Sequence, residues 1–454
     1  MMSDENCLIN SWTEWGQLEL VCVGSARGMC YPDDEYAFPW HEVTNEQMRR
    51  YVTSFVGYRP TSRIELAQEQ LDNLSNILQS EMVQVKTIEE MDEDINVLLK
   101  RKRTYLEKSS MDEKVLCKQK VEVCRSPADG KQFDQPIQTP FFRSHFQSGL
   151  ACPRDVLITL GNTIVEAPTA FHTRYFEGSF YREMIYPFYI KDKKAKWLSP
   201  PKATCSKSMF DDVDLWRSIS SNEYKRNFAA NGYKTSLNEK EIAFDAADMI
   251  RMGKDVFYKK SASTNYQGLE WLRRTFGEDI RFHAMHFPTA PDVHLDSSLI
   301  PLRPPTDGSE GLLLINQNRP PLANELRIFL DNNWRPLWCP LPATNERTPM
   351  ALCSPNVNMN ILSLNERSCI IEECEVPLYQ FLDDLGFDII TCPLRVLNEF
   401  GGGVHCVTWD IRRNDSCKDY FPNQDYENEC SQDMNNSCFD HTMYQTNVPK
   451  QINK

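Results

Sequence analysis

Short apolar runs separated by polar turns dominate the chain, with amphipathic stretches between them. The first run, LELVCV at Leu18–Val23, predicts a strand. Ile64, Ala67, Leu71, Leu74, Leu78 and Met82 recur at helical spacing after Pro60, which predicts a helix over Ile64–Lys86. Glu89–Lys131 breaks the pattern with dense charge of both signs, KRKR at Lys100–Arg103 included, and reads as a solvated surface excursion.

A rhythm then sets in. Asp155–Leu160 and Thr163–Glu166 predict two strands around a Gly161-Asn162 turn, and a helix follows over Tyr175–Tyr186. Ile242–Asp245 leads to a strand at Asp255–Tyr258, a helix over Asn265–Phe276 stopped by Gly277, and a strand at Arg281–Phe287. The third pass has strands at Val293–Leu302 and Gly311–Ile315, an amphipathic helix at Leu322–Leu330 and a strand at Trp334–Cys339. The fourth runs through strands Asn358–Leu364 and Ser368–Ile371, helix Val376–Leu385 and strand Phe387–Cys392. The unit strand–turn–strand–helix–strand thus recurs four times, and the two chain ends can close a fifth. Copies at so long a period imply one large domain arranged round an axis.

Composition narrows the class. The chain has 454 residues, 41% of them hydrophobic, enough for a large core. No run of about 18 apolar residues predicts a membrane span. MMSDENCLINSW lacks a signal-peptide pattern and is acidic, so a cytoplasmic protein is expected, with mitochondria as the alternative. A net charge of −14 argues against non-specific nucleic-acid binding. The 16 cysteines form no CxxC…CxxC pattern and read as reduced thiols, most of them, such as Cys22, Cys339, Cys369 and Cys392, as small buried hydrophobes. After Asn414 the chain turns polar, which predicts a domain over 12–413, with 89–131 as an insertion, and a loose tail over 414–454.

Chemistry-bearing residues cluster at the starts of the repeats. Asp155 in CPRDVLI and Asp248 in FDAADM stand at such starts. His294 and Asp296 in VHLDSS lie two apart on a predicted strand and so share one face, while Val293 and Leu295 supply the other. Equivalent positions in pseudo-symmetric copies point at one axis, so these four residues are expected to converge with Cys406 of FGGGVHCVTWD, the glycines allowing a close backbone approach. A metal site is one reading of such a set, but a lone Cys with one His and several carboxylates matches no common zinc pattern. A Cys nucleophile, a His acid/base and carboxylates gripping a planar guanidinium is the other. On a strand, His405 would point away from Cys406, which directs the acid/base role to His294.

The stretches EWGQLELVCVGSA, CPRDVLITLGNTIVEAP, AKWLSPPKAT, FDAADMIRMGKDVF, TNYQGLEWLRR, VHLDSSL, NQNRP, MNILSLNE, VPLYQFLDDLG and GGGVHCVTWDIRR together resemble the glycine amidinotransferase family of the guanidino-group-modifying superfamily. The resemblance runs from Glu14 to Arg413 and implies a five-bladed pseudo-symmetric α/β propeller of ββαβ repeats. By motif, it implies Cys406 as nucleophile, His294 as general acid/base with Asp248 as its orienting partner, and Asp155 and Asp296 as the guanidinium clamp. Arg319 would hold a substrate carboxylate, and Asn358 would line the acceptor side. The implied reaction moves the amidino group of arginine to a small amine, glycine first, without metal or cofactor, through an amidino-cysteine. Dimers are common in the family, which leaves a homodimer as an expectation. The chain departs from the glycine-specific pattern at Pro291, Asp292, Val293 and Asn358, where taurine or an inosamine phosphate are alternative acceptors. A hydrolase of the same superfamily, with water as acceptor, and a non-catalytic binding relative are the competing readings.

Overall fold

The computed structural model describes residues 7–31, 57–87, 137–144, 148–211, 235–287, 294–343, 353 and 357–427. The charged insertion at 89–131, the acceptor-side positions Pro291, Asp292 and Val293, and the chain from 428 onward lie outside the described residues.

Five three-stranded sheets form the architecture, and all share one topology. Each joins an inner strand to an antiparallel middle strand, and the middle strand to a parallel outer one reached through a helix. The inner, middle and outer strands are Leu157–Leu160, Thr163–Glu166 and Lys196–Leu198 in one blade, and Met249–Met252, Asp255–Lys259 and Arg281–Met285 in the next. Leu299–Arg303, Gly311–Asn316 and Trp334–Cys339 follow, then Leu362–Ser363, Ser368–Glu372 and Asp388–Cys392. The fifth blade joins the chain ends: Gln17–Val23 pairs antiparallel with Thr408–Asn414 and parallel with Gln84–Thr87. This is a five-bladed α/β propeller.

Inner and middle strands are buried on both faces, so they read as continuous apolar runs rather than alternating ones. The helices pack outside: Thr61–Ser80 buries Ala67, Leu71, Leu74 and Leu78. Tyr266–Phe276 starts at Asn265, whose side chain accepts from the Gly268 amide, and stops at Gly277 with φ of 56°. Apolar clusters fill the spaces between neighbouring blades; one joins Ile158, Leu160 and Val165 to Phe244, Val256 and Phe282. No helix among the described residues is long and apolar enough to cross a membrane.

Several boundaries move. The first helix ends at Ser80 rather than Lys86, because Met82 takes a left-handed φ of 64° and turns the chain into strand Gln84–Thr87; Met82 itself is exposed. The predicted helix at Leu322–Leu330 shrinks to Arg327–Leu330, and Ile242–Asp245 forms no strand. Residues 415–427, expected to belong to a loose tail, are held in place. Asp415 accepts the Trp12 and Thr13 amides, Phe421 is fully buried against Trp334, and Tyr426 takes the Phe282 amide. These contacts seal 415–427 onto the body of the propeller.

Candidate active site

Each inner strand is preceded by a tight turn, and the polar residues singled out in the sequence sit on these turns. Asp155 lies in the single helical turn Pro153–Val156, Asp248 in Ala246–Asp248, Asp296 in Leu295–Ser297, Asn358 in Val357–Met359, and Cys406 in the turn just before Thr408–Asn414. The strand geometry expected for His294 and Asp296 is therefore corrected. His294 has φ of 78°, Asp296 follows in a 3-10 turn, and the strand begins only at Leu299. Nor do His405 and Cys406 lie on opposite faces of a strand, since both precede Thr408–Asn414.

Convergence comes from the fivefold arrangement of the turns. A ring nitrogen of His294, a carboxylate oxygen of Asp155 and Cys406 Sγ lie within 4.8 Å of one another, all three residues buried. His294 Nδ1 is 3.5 Å from Asp155 Oδ1, and its Nε2 is 3.2 Å from Asp245 Oδ2. Asp296 Oδ2 sits 3.4 Å from Cys406 Sγ and 2.9 Å from His405 Nδ1. Asn360 spans the same ground, with Nδ2 2.8 Å from Asp296 Oδ2 and 3.1 Å from Cys406 Sγ. The Cys, His and Asp atoms are close enough to hold a metal ion, and the same spacing suits a flat organic cation whose N–H groups face the carboxylates.

The charges follow from this crowding. Burial would lower the His294 pKa, but Asp155 and Asp245 outweigh it and push the imidazole up to about 10. Burial works against ionised Asp245 and Asp296, yet His294 holds the first, and His405 with His294 the second, below the usual carboxylate range. Cys406 moves the other way: burial, then Asp296 and Asp155, hold it as a neutral thiol well above its ordinary pKa. The pocket thus sets several carboxylates around a neutral thiol, with the His294 imidazolium and the Arg174 guanidinium beside them, and further positive charge close to the sulfur would favour its ionisation.

Beneath the turns lies a buried ionic network. Arg251 holds Glu14 through Nε and Nη2, both at 2.8 Å, and reaches Asp410 at 2.5 Å. Asp410 also takes Arg154 at 2.6 Å and Arg413 at 2.8 Å. Arg154 donates to the His405 carbonyl at 2.8 Å, and His405 Nε2 lies 3.3 Å from Glu14. The network thereby fixes the backbone next to Cys406.

Not every expected contact is present. Asp248 does not hydrogen-bond His294; that carboxylate is Asp245, three residues earlier. Asp248 instead accepts from Ser261 Oγ at 2.6 Å, and burial pushes it up to about 6. Arg319 is half-buried in the turn after the strand Gly311–Asn316. Asn358 is buried and donates to the Pro340 carbonyl at 3.0 Å. Sequence reasoning missed Asp245, Asn360 and Arg174, which donates to Asp155 at 2.7 Å and to Glu177 at 2.8 Å. Asp245 and Asn360 stood within the motifs FDAADM and MNILSLNE; nothing in the pattern marked Arg174.

Gly402 explains part of FGGGVHC. A Cβ on it would stand 2.6 Å from Cys406 Cβ and 2.9 Å from Cys152 Sγ, so the loop closes over the thiol only without a side chain there.

No family model matches the chain. It is 30% identical to mitochondrial glycine amidinotransferase of Gallus gallus over 420 residues, covering 92% of this chain and 86% of that protein. It is 31% identical to L-arginine:L-lysine amidinotransferase of Pseudomonas savastanoi pv. phaseolicola over 415 residues, covering 90% and 96%. Among solved structures, an amidinotransferase of the saxitoxin biosynthetic pathway from Microseira wollei superposes with a TM-score of 0.72 at 28% identity, covering 91% of this chain and all of that one. The inosamine-phosphate amidinotransferase of Streptomyces griseus shares the fold, with a TM-score of 0.68 at 24% identity over 91% of this chain and 99% of that one. The chain is a transferase and belongs to the amidinotransferase family.

Proposed function

We propose that the enzyme takes the amidino group from arginine onto Cys406 and passes it to a small amine, glycine first, giving ornithine and guanidinoacetate. The observation that carries this reading is the buried meeting of Cys406 Sγ, a His294 ring nitrogen and an Asp155 carboxylate within 4.8 Å.

Asp155 and Asp296 grip the guanidinium, whose charge offsets the carboxylates that hold Cys406 as a thiol. As the guanidinium enters, the Cys406 thiol gives up its proton to solvent, and the resulting thiolate attacks the central carbon, forming the C–S bond. His294, protonated at neutral pH, gives its proton to the departing nitrogen as the C–N bond breaks, and ornithine leaves. The cationic amidino-cysteine remains with a neutral imidazole. The incoming amine attacks the same carbon, His294 takes a proton from it, and collapse expels the thiolate. Asp245, in contact with Nε2, orients the imidazole, and the buried Asp248 adds negative charge behind it. Arg319 serves a substrate carboxylate, and Asn358 lines the acceptor side.

Lysine is the second acceptor reading, because the arginine:lysine enzyme matches at 31% identity over 96% of its length. An acceptor screen with labelled arginine, reading ornithine release, separates the two. Ornithine formed fastest with glycine supports the first; ornithine formed with lysine alone supports the second. Citrulline or urea forming as fast without any amine would overturn the transferase mechanism.

A further inference from the structure

Cys406 is surrounded by groups that oppose its ionisation. Asp155, Asp296 and Cys152 act on it electrostatically, and its own burial adds to them. A thiolate there needs hydrogen-bond donors aimed at sulfur, and the side-chain amide of Asn360 meets it at 3.1 Å, with the nearby Gly403 backbone also favouring the ionised form.

Both polar atoms of the Asn360 side chain are tied down. Its Oδ1 accepts the Cys406 backbone N–H at 2.9 Å, while Nδ2 lies 3.1 Å from Cys406 Sγ and 2.8 Å from Asp296 Oδ2. An Nδ2 group has two hydrogens, one for each acceptor. Gly403 leaves the space this requires, since a Cβ there would stand 2.8 Å from Asn360 Cβ and 3.0 Å from Oδ1. The residue is buried, where the lower local dielectric strengthens these bonds.

We infer that Asn360 is a catalytic residue that donates a hydrogen bond to Cys406 Sγ, stabilises it as thiolate nucleophile and leaving group, and locks it in register with the Asp296 carboxylate. This rests on the reading of Cys406 as the nucleophile. The same Nδ2 group ties the two halves of the chemistry together: the carboxylate that positions the carbon and the sulfur that attacks it. Asp296 Oδ2 is already engaged by Asn360, His405 and the Cys406 thiol, whereas Oδ1 takes part in none of these contacts. When the thiol loses its proton, the Asn360 donor remains at sulfur without reorganisation.

Asn360→Asp is the informative variant. It keeps the shape and an oxygen to accept the Cys406 amide, but removes the donor to sulfur and adds negative charge. Asn360→Ala is its partner, removing the donor without adding charge. Iodoacetamide labelling of Cys406, followed across pH by mass spectrometry of its peptide, reads the thiol without relying on turnover. Both variants are expected to shift the half-labelling pH up by about one unit or more, Asn360→Asp the further, and to lower kcat about 100-fold with KM for arginine changed far less. The groups facing this sulfur (Asp155, Asp296, His294, Cys152 and, through Asp296, His405) are unchanged in both. A labelling profile superimposed on the parent's in a folded variant overturns the inference, even if activity falls. Undiminished ornithine release by Cys406→Ser would instead overturn the nucleophile assignment, so the two failures are distinct.

Discussion

Replacing Gly402 by Ala tests whether the backbone beside the thiol is packed for catalysis. The new Cβ would meet Cys406 Cβ at 2.6 Å and Cys152 Sγ at 2.9 Å. Carbon atoms in contact settle at about 3.5–4.0 Å, so the loop and Cys406 must separate by about 1 Å. The obstructing atom is a Cβ fixed to its own backbone, not the end of a flexible side chain, which puts the cost near the top of the overpacking range, about 3 kcal/mol. A displacement of about 1 Å in a reacting atom is also worth about 100-fold in rate. Gly402→Ala is therefore expected to lower the unfolding midpoint by several degrees and kcat about 100-fold, read by thermal unfolding and ornithine release. Adding Cys152→Ala relieves the second contact but not the first, so the double variant should regain part of the stability and little of the rate. A Gly402→Ala enzyme within twofold of the parent in kcat would refute the packing argument.

Asp245→Asn removes the carboxylate touching His294, so the imidazolium loses support and the alkaline limb of the pH–kcat profile should fall by about one unit, further than in Asp248→Asn. Equal shifts in both would return the orienting role to Asp248. Asp248 itself has a folded pKa of about 6, raised above the unfolded value of 3.8, so its contribution to stability is present below pH 3.8 and lost as pH rises through 6. Asp248→Asn is thus expected to be more stable than the parent at pH 7, by up to about 3 kcal/mol, with the gain vanishing near pH 4 in urea titrations. Arg251→Met strips a cation from buried Glu14 and Asp410 and should cost about 3–5 kcal/mol; a midpoint unchanged in urea would show that the network is dispensable.

The repeat was legible because its inner and middle strands are buried on both faces and leave uninterrupted apolar runs, such as LITL at Leu157–Leu160 and GLLLIN at Gly311–Asn316. The site was legible as a set of residue types at repeat starts, but its local geometry was not. Short polar turns before each inner strand were read as the first strand residues, since a single turn has no period of its own. On the apolar pattern alone His294 and Asp296 share a strand face, whereas in the structure the positive φ of His294 and the Leu295–Ser297 turn set their directions. The choice of Asp245 over Asp248 as the contact to His294 was equally invisible, because it depends on which end of the Ala246–Asp248 turn faces the neighbouring blade. Asn360 bears no charge and Arg174 stands outside the repeat starts, so neither stood out. Residues 415–427 looked like tail because their composition is polar, yet Phe421 and the capping Asp415 are enough to anchor them.

The proposed reaction passes through a covalent intermediate at one sulfur. Enzyme mixed with arginine and no amine acceptor, quenched in acid and digested, should carry a single adduct of about 42 Da on the Cys406 peptide, with about one equivalent of ornithine released. The adduct should disappear when an accepting amine is added before the quench. Ornithine release without an adduct on Cys406, or an adduct on another cysteine that survives in Cys406→Ser, would contradict it.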